Sequence, residues 1–201
     1  MRTVMMSTAL LVSACPPRVD ERPDAGGRIE AGPKVQPRQA TRVRITPTTA
    51  RVAFTGSKVT GQHGGGFSGF DGVWEVPADL STSRLQLTID LATVYTDNAR
   101  LTEHLKSAEF FDVARFPRAE FTSTSFVASS GGRGTVLGQL RLHGVTQALS
   151  VPFSLTARDT GFEAVADFEL NRRDFGIIYP GRADDLISDL VGLTVVITAT
   201  R

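Results

Sequence analysis

The chain has 201 residues, a length that suits one domain with a tail better than two full domains. Its 22 basic and 21 acidic residues give a formal net charge of +1, a balance that provides no electrostatic footprint for nucleic acid. Although 41% of the residues are hydrophobic, no run approaches the roughly 20 consecutive apolar residues of a membrane-spanning helix.

The N-terminal segment combines the features of an export signal. Arg2 supplies a basic start, an apolar run follows at residues 9–12, and small side chains stand just before Cys15. The Val-Ser-Ala-Cys run ending at Cys15 resembles a bacterial lipobox, whose cysteine sulfur receives a diacylglycerol and becomes the first mature residue. We therefore expect a signal peptide over residues 1–14 and lipidation at Cys15. The alternative is an incidental cysteine in a disordered terminus.

A flexible tether is expected after this anchor. Residues 16–40 are rich in proline, glycine and charge, and cannot bury enough apolar surface to offset the entropy of ordering. The chain thus divides into a signal peptide, a lipidated cysteine with its tether at residues 15–40, and a body at residues 41–201. The anchor would hold the body at the periplasmic side of a bacterial envelope. The sequence does not distinguish the inner from the outer membrane.

The body has a hydrophobic period of two, which is typical of antiparallel strands with one face turned inward. Apolar and polar residues alternate most clearly over residues 85–91, 149–155, 164–170 and 191–197. Weaker strands are predicted over residues 42–45, 51–59, 121–127 and 136–142. About eight strands with short connections favour a closed barrel or a sandwich, and such a barrel is wide enough for one small ligand.

Short connections and one helix complete the predicted elements. Glycine-containing turns are expected at residues 129–134, at residues 159–161 and at Gly144. A helix is predicted over residues 97–105, with Asp97 as its cap and Leu101 and Leu105 on one face.

Four blocks of the body, in order, carry a resemblance to a known family. The first is FTGSKVTGQH at residues 54–63. The second runs from LTEHLKSAEFFD at residues 101–112 into FPRAEFTST at residues 116–124. The third is GQLRLHGVT at residues 138–146, and the fourth is NRRDFG at residues 171–176. Together these blocks resemble the YceI-like family over essentially the whole body.

The resemblance implies an all-β, lipocalin-like antiparallel barrel of about eight strands with one short helix. It also implies an exported bacterial protein that binds polyisoprenoid chains such as those of quinones, here in a lipid-anchored variant. The expected partners are a polyisoprenoid lipid or quinone and, through the anchor, the membrane. No cofactor is expected apart from that bound lipid, and no nucleic acid. Formation of a homodimer is left open.

The body contains no recognisable catalytic or metal-binding motif. His63, His104 and His143 lack the paired spacing of zinc sites, and no serine lies in a GxSxG elbow. The run Gly64-Gly65-Gly66 lacks the pattern and the following helix of a phosphate-binding loop. We therefore expect no catalytic residue and no metal ligand, while a metal site assembled only in space stays open.

Two polar residues are candidates for contact with the head group of a ligand. His63 adjoins the glycine run, which we expect to form a wide or loose loop where many relatives place other residues. An exposed loop histidine is the simpler interpretation there. Arg172 follows a predicted strand, and pairing of charges at the barrel rim is its simpler interpretation.

Apolar side chains at alternate strand positions are expected to line an elongated pocket. The candidates are Leu87, Ile89, Leu140, Val151, Phe153, Phe168, Leu193 and Val195. Three hypotheses follow: an isoprenoid carrier, an interaction module with a barrel filled by its own side chains, and a barrel isomerase or cyclase. A ligand-sized cavity separates the first from the second. Convergent titratable groups with shifted pKa values would favour the third.

Overall fold

The computed structural model describes residues 41–200, nearly all of the predicted body. The signal peptide, Cys15 and the tether, predicted over residues 1–40, lie outside the described residues. The described elements are β1 (Thr41–Ile45), β2 (Ala50–Lys58), β3 (Gly61–Phe67), β4 (Phe70–Val76), β5 (Arg84–Asp90), β6 (Val94–Thr96), α1 (Ala99–Lys106), β7 (Arg118–Ala128), β8 (Arg133–Leu142), β9 (Val145–Arg158), β10 (Gly161–Asn171), β11 (Gly181–Arg182) and β12 (Asp185–Thr200).

These strands form one antiparallel sheet with the order β1-β4-β5-β7-β8-β9-β10-β12-β2-β3-β6, and β11 pairs with β12 beside it. The middle of the order is a meander in which β7 to β10 pair with their neighbours in sequence. The long strand β12 then pairs with β10 on one side and β2 on the other.

Short chain connections tie the two ends of this sheet order together, so the sheet curls on itself. β1 leads into β2 through the turn at residues 46–49, and β3 leads into β4 through two residues. Next to that second junction, the Asp90 amide donates to the Gly69 carbonyl and the Ser68 amide donates to the Thr93 carbonyl. The inward faces of the curled sheet enclose the hydrophobic core and a cavity. The predicted lipocalin-like antiparallel barrel is thereby confirmed.

All eight predicted strands are present, but the described chain contains twelve, so the predicted number was too low. β6 and β11 are three and two residues long, which is too short for an alternation of apolar and polar residues to show.

The sequence prediction missed β3 because this strand contains Gly64-Gly65-Gly66, which we expected to form a loose loop. A β-carbon at Gly65 would lie 2.4 Å from the Tyr95 carbonyl oxygen, so glycine lets β6 approach β3 closely. β4 alternates Phe70, Gly72, Trp74 and Val76, a pattern that the sequence prediction missed.

The predicted helix is present as α1, but its cap differs from the prediction. The Asn98 side chain accepts from the Leu101 amide at 3.1 Å, so Asn98 and not Asp97 caps the helix. Asp97 instead accepts from the Gly64 amide and pairs with His63. No helix among residues 41–200 has the length and apolar character needed to cross a membrane.

The predicted turns are found where expected. His143 and Gly144 join β8 to β9 with φ angles of 51° and 78°, the left-handed conformation of a two-residue hairpin loop. His143 is held there by its Nδ1, which lies 3.1 Å from the Phe175 carbonyl oxygen. The turns at residues 129–132 and 159–160 join β7 to β8 and β9 to β10.

Candidate ligand-binding site

A cavity of about 440 Å³ occupies the inside of the barrel. Most side chains on its wall are aliphatic or aromatic, and they come from strands on every side of the curled sheet. All of the apolar side chains selected from the sequence lie on this wall: Leu87, Ile89, Leu140, Val151, Phe153, Phe168, Leu193 and Val195. Their contact with a ligand stays a prediction. The volume falls within the range of about 300–1,000 Å³ that is common for small-molecule sites.

Trp74, Phe126 and Phe153, which come from β4, β7 and β9, form an aromatic cluster on the wall. The Trp74 ring stacks on Phe126 at 6.0 Å between ring centres and meets the edge of Phe162 at 5.5 Å. The Phe153 ring meets Phe126 edge to face, also at 6.0 Å between ring centres. Trp74 is the only tryptophan of the chain and is 2% exposed, so its fluorescence reports on this part of the pocket.

The polar groups of the wall gather at one end of the barrel, which we call the polar mouth. Its members are Lys58, His63, His104, Arg172, Tyr179, Arg182 and Asp185. The strand pairing explains this grouping, because β2 ends where β3 and β12 begin. The Pro180 carbonyl accepts from the Ile187 amide at 3.0 Å, which brings the segment before β11 to the same end. Since His63 and His104 are each 32% exposed at their side chains, water reaches the mouth.

Asp185 lies at the polar mouth and contacts residues at the end of β2 and just after it. Its carboxylate pairs with the Lys58 ammonium and accepts from the Thr60 amide at 3.1 Å and the Thr60 hydroxyl at 2.9 Å. The hydrogen bond from Lys58 is the main cause that lowers the pKa of Asp185 below its ordinary value. Asp185 is 127 positions from Lys58 and 125 positions from Thr60 in the sequence, so no local pattern could have indicated these contacts.

Replacement of Asp185 by asparagine is expected to lower thermal stability at neutral pH. Because folding lowers the pKa of Asp185, its carboxylate stabilises the fold above the ordinary carboxyl pKa of about 4. This contribution disappears as the pH falls through the lowered value. The difference in Tm between the wild type and Asp185→Asn should therefore shrink on acidification. Thermal melts from pH 7 to pH 3 test this, with the exposed Asp184→Asn as the control; a pH-independent difference would contradict it.

His63 lies on strand β3 and not in the loop expected from the glycine run. Its Nδ1 lies 2.9 Å from Asp97 Oδ1, and the Gly64 amide donates to the other oxygen of that carboxylate at 3.3 Å. The hydrogen bond to His63 is the main cause that lowers the pKa of Asp97. Because Nδ1 is held by Asp97, Nε2 of the partly exposed ring is the atom that can meet a ligand.

Arg172 lies at the polar mouth, but protein acceptors engage most of its guanidinium. Nε donates to the Ser188 carbonyl at 3.0 Å, Nη1 to the Ile177 carbonyl at 2.7 Å, and Nη2 to the Ile187 carbonyl at 3.4 Å and to Asp189 at 3.0 Å. The side chain is buried, and this burial is the main cause that lowers the pKa of Arg172. Arg172 thus clamps the chain on both sides of β11, and only one Nη1 hydrogen is left for another acceptor.

His104 and Tyr179 complete the mouth, and the sequence did not single out this pair. His104 Nε2 lies 2.6 Å from Glu109 Oε2. The His104 ring meets Phe110 and Tyr179 edge to face, at 4.9 Å and 4.8 Å between ring centres. In the described part of the chain, no group of three His, Cys, Asp or Glu side chains is placed to hold a metal ion.

The sequence of the described barrel matches the model of a known domain family. The model of the YceI-like domain matches residues 44–199, which is more than half of the chain. The chain belongs to the YceI-like family. The resemblance noted in the four sequence blocks is therefore confirmed. The YceI protein of Salmonella arizonae is 36% identical over 122 residues, which cover 56% of this chain. That match spans 62% of the relative, less than two thirds of its length.

Solved structures share the YceI-like fold at lower sequence identity. BcnA of Burkholderia cenocepacia aligns with a TM-score of 0.70 and 19% identity, over 78% of this chain and 99% of BcnA. A polyisoprenoid binding domain from Saccharophagus degradans, implicated in plant cell wall breakdown, aligns with a TM-score of 0.63 and 17% identity. That alignment covers 79% of this chain and 97% of the other domain. At these identities the two structures establish the shared fold.

Proposed function

We propose that this YceI-like barrel binds an isoprenoid-chain lipid, either quinone-like or polyprenyl, and sequesters or carries it without chemical change. The observation that carries the proposal is the cavity of about 440 Å³, whose wall is apolar except at the polar mouth. Burial of a lipid chain against such a wall contributes roughly 25 cal/mol per Å² of apolar surface removed from water. The polyisoprenoid-binding neighbour from Saccharophagus degradans supports the choice of ligand class.

The same cavity argues against an interaction module with a barrel filled by its own side chains. The polar mouth also gives little support to an isomerase or cyclase. Its two groups with shifted pKa values, Arg172 and Asp185, are both held in ion pairs and hydrogen bonds of the fold. Because the contacts of the fold occupy both groups, a non-enzymatic binding role is the simpler proposal.

Binding of a lipid can be tested through Trp74, the single tryptophan on the pocket wall. A quinone ring quenches the fluorescence of a nearby indole. Binding of a polyprenyl quinone in the pocket should therefore quench Trp74 fluorescence in a saturable manner. Titration of the purified chain with a polyprenyl quinone in detergent micelles provides the curve. Linear, unsaturable quenching equal to that of free tryptophan would contradict the proposal.

The polar mouth is proposed to select the head group, with His63 as the first residue to test and Arg172 as the second. Replacement of His63 by alanine should weaken quinone binding by about 0.5–1.5 kcal/mol, the value of one neutral hydrogen bond. Binding of the plain polyprenyl alcohol should change less, because the tail still fills the same wall. Competition titrations on the wild type and His63→Ala give the ratio of the two affinities. An unchanged ratio would mean that His63 only holds Asp97.

We further propose that the chain is exported and held at the periplasmic side of the envelope by a lipid on Cys15. The support is the export-signal pattern of residues 1–14 and the position of the sole cysteine directly after it. Cys15→Ser should move the protein from the membrane fraction to the soluble fraction while leaving the barrel folded. Fractionation of cells that express each form tests this, and equal membrane association of both forms would contradict it.

A further inference from the structure

Three of the most exposed apolar side chains of the described barrel stand beside the polar mouth. They are Val59, Ile178 and Leu186, which are 73%, 66% and 52% exposed. We call these three residues the apolar rim. The Val59 amide donates to the Leu186 carbonyl at 3.2 Å, which ties the turn after β2 to the start of β12. In the chain, each of the three adjoins a member of the polar mouth: Val59 follows Lys58, Ile178 precedes Tyr179, and Leu186 follows Asp185. Exposed apolar groups placed around a ligand-binding opening are typical of a contact surface.

The apolar rim is continuous with the wall of the pocket. Ile187 lines the cavity while its neighbour Leu186 faces out, and Ile177 lines the cavity while Ile178 faces out. The same alternation occurs at the end of β2, where Lys58 faces the cavity and Val59 faces out. At Ile177–Ile178 and at Leu186–Ile187, an apolar residue of the cavity wall is therefore next in the chain to an apolar residue of the outer surface. A lipid chain that enters at either point meets apolar groups on both sides of the polar mouth.

The two segments that carry the rim have no net charge. Residues 58–60 and 178–187 contain Lys58 and Arg182 as cations and Asp184 and Asp185 as carboxylates. A surface with this balance gains little from anionic head groups, and contact through it must come from burial of apolar area.

We propose that the apolar rim docks on the surface of a lipid bilayer and inserts between the lipids, so that the ligand passes between membrane and pocket without crossing water. The proposal rests on the lipid-carrier function proposed above and names the surface through which that site exchanges its ligand.

The test compares rim variants with a matched control for binding to vesicles of phosphatidylcholine. Every form is the full chain with Cys15→Ser, so that acylation of Cys15 contributes nothing. The rim variant replaces Val59, Ile178 and Leu186 by serine. The control replaces Val127 and Leu137 by serine; Val127 is 52% exposed, as Leu186 is, but lies on β7, which β8, β9 and β10 separate from β12.

Co-sedimentation should show that the rim variant binds these vesicles at least about tenfold more weakly than the parent, while the control stays within about twofold. Added salt or phosphatidylglycerol should change binding by about twofold or less, because the rim segments are neutral. The rate at which a bound polyprenyl quinone leaves for vesicles should rise with vesicle concentration in the parent and not in the rim variant.

The docking proposal would be overturned if the rim variant and the control lost vesicle binding equally, or if the parent did not bind vesicles. Binding that requires phosphatidylglycerol and disappears in salt would also overturn it, as would a rim variant whose only change is the loss of a dimer. Quenching of Trp74 by the quinone in micelles is measured on every form. Retained quenching verifies that a variant is folded and leaves the carrier function standing if docking fails. Absent quenching in the parent refutes the carrier function separately.

Discussion

Replacement of Ala166 by phenylalanine should weaken the binding of a polyprenyl quinone at least about tenfold, or about 1.4 kcal/mol. Ala166 lies on β10 with its side chain on the pocket wall. A phenyl ring at this position occupies space that a lipid chain would need. Because the ring fills a cavity instead of displacing packed side chains, the substitution should cost less stability than the about 1–3 kcal/mol typical of overpacking.

The matched control for this substitution is Ala148→Phe on the outer face of β9, where the side chain is exposed and not on the pocket wall. Quenching of Trp74 gives the affinity of each form, and thermal melts give its stability. We expect the affinity of Ala148→Phe to match the wild type. Undiminished binding by a folded Ala166→Phe variant would show that the quinone does not enter the cavity.

Replacement of Arg172 by alanine should destabilise the fold by about 3–5 kcal/mol, which is typical for removal of one partner of a buried charged network. The substitution leaves the carbonyls of Ile177, Ile187 and Ser188 without their shared donor and frees the segment that carries β11. Lysine at this position should restore little, because one ammonium cannot reach acceptors on both sides of the segment. Urea unfolding followed by circular dichroism measures the loss.

Arg173→Ala provides a control one position away. Arg173 Nε also donates to Asp189, at 2.7 Å, but half of the Arg173 side chain is exposed. An exposed ion pair of this kind contributes at most about 1 kcal/mol. If Arg172→Ala and Arg173→Ala lower the free energy of unfolding by similar small amounts, the buried contacts of Arg172 contribute no more than a surface ion pair.

The pocket wall could be predicted from the sequence because it depends on local alternation. Along β10, for example, Ala164, Ala166, Phe168 and Leu170 recur at every second position, and all of them line the cavity. An antiparallel barrel turns such a face inward wherever the strand lies in the sheet order. For this reason the eight apolar candidates lie on the wall although the number of strands was underestimated.

The polar mouth could not be predicted in the same way, because its contacts join distant parts of the chain. Lys58 and Asp185 meet only because β12 pairs with β2, and Tyr179 meets His104 only because residues 177–180 fold over α1. The glycines before Phe67 led to the wrong prediction of a loop, because glycine has a low strand propensity. In the structure these glycines lie on β3 and allow the close approach of β6.

The lipid that the purified protein carries shows directly whether the barrel holds an isoprenoid chain. The full chain, isolated from a bacterium that makes isoprenoid quinones, is extracted with organic solvent, and the extract is examined by mass spectrometry. The lipid-carrier account predicts an isoprenoid-chain lipid in the wild-type extract, in a molar amount near that of the protein, and strongly reduced in Ala166→Phe. An extract free of isoprenoid lipid, or one with equal amounts from the wild type and Ala166→Phe, would contradict it.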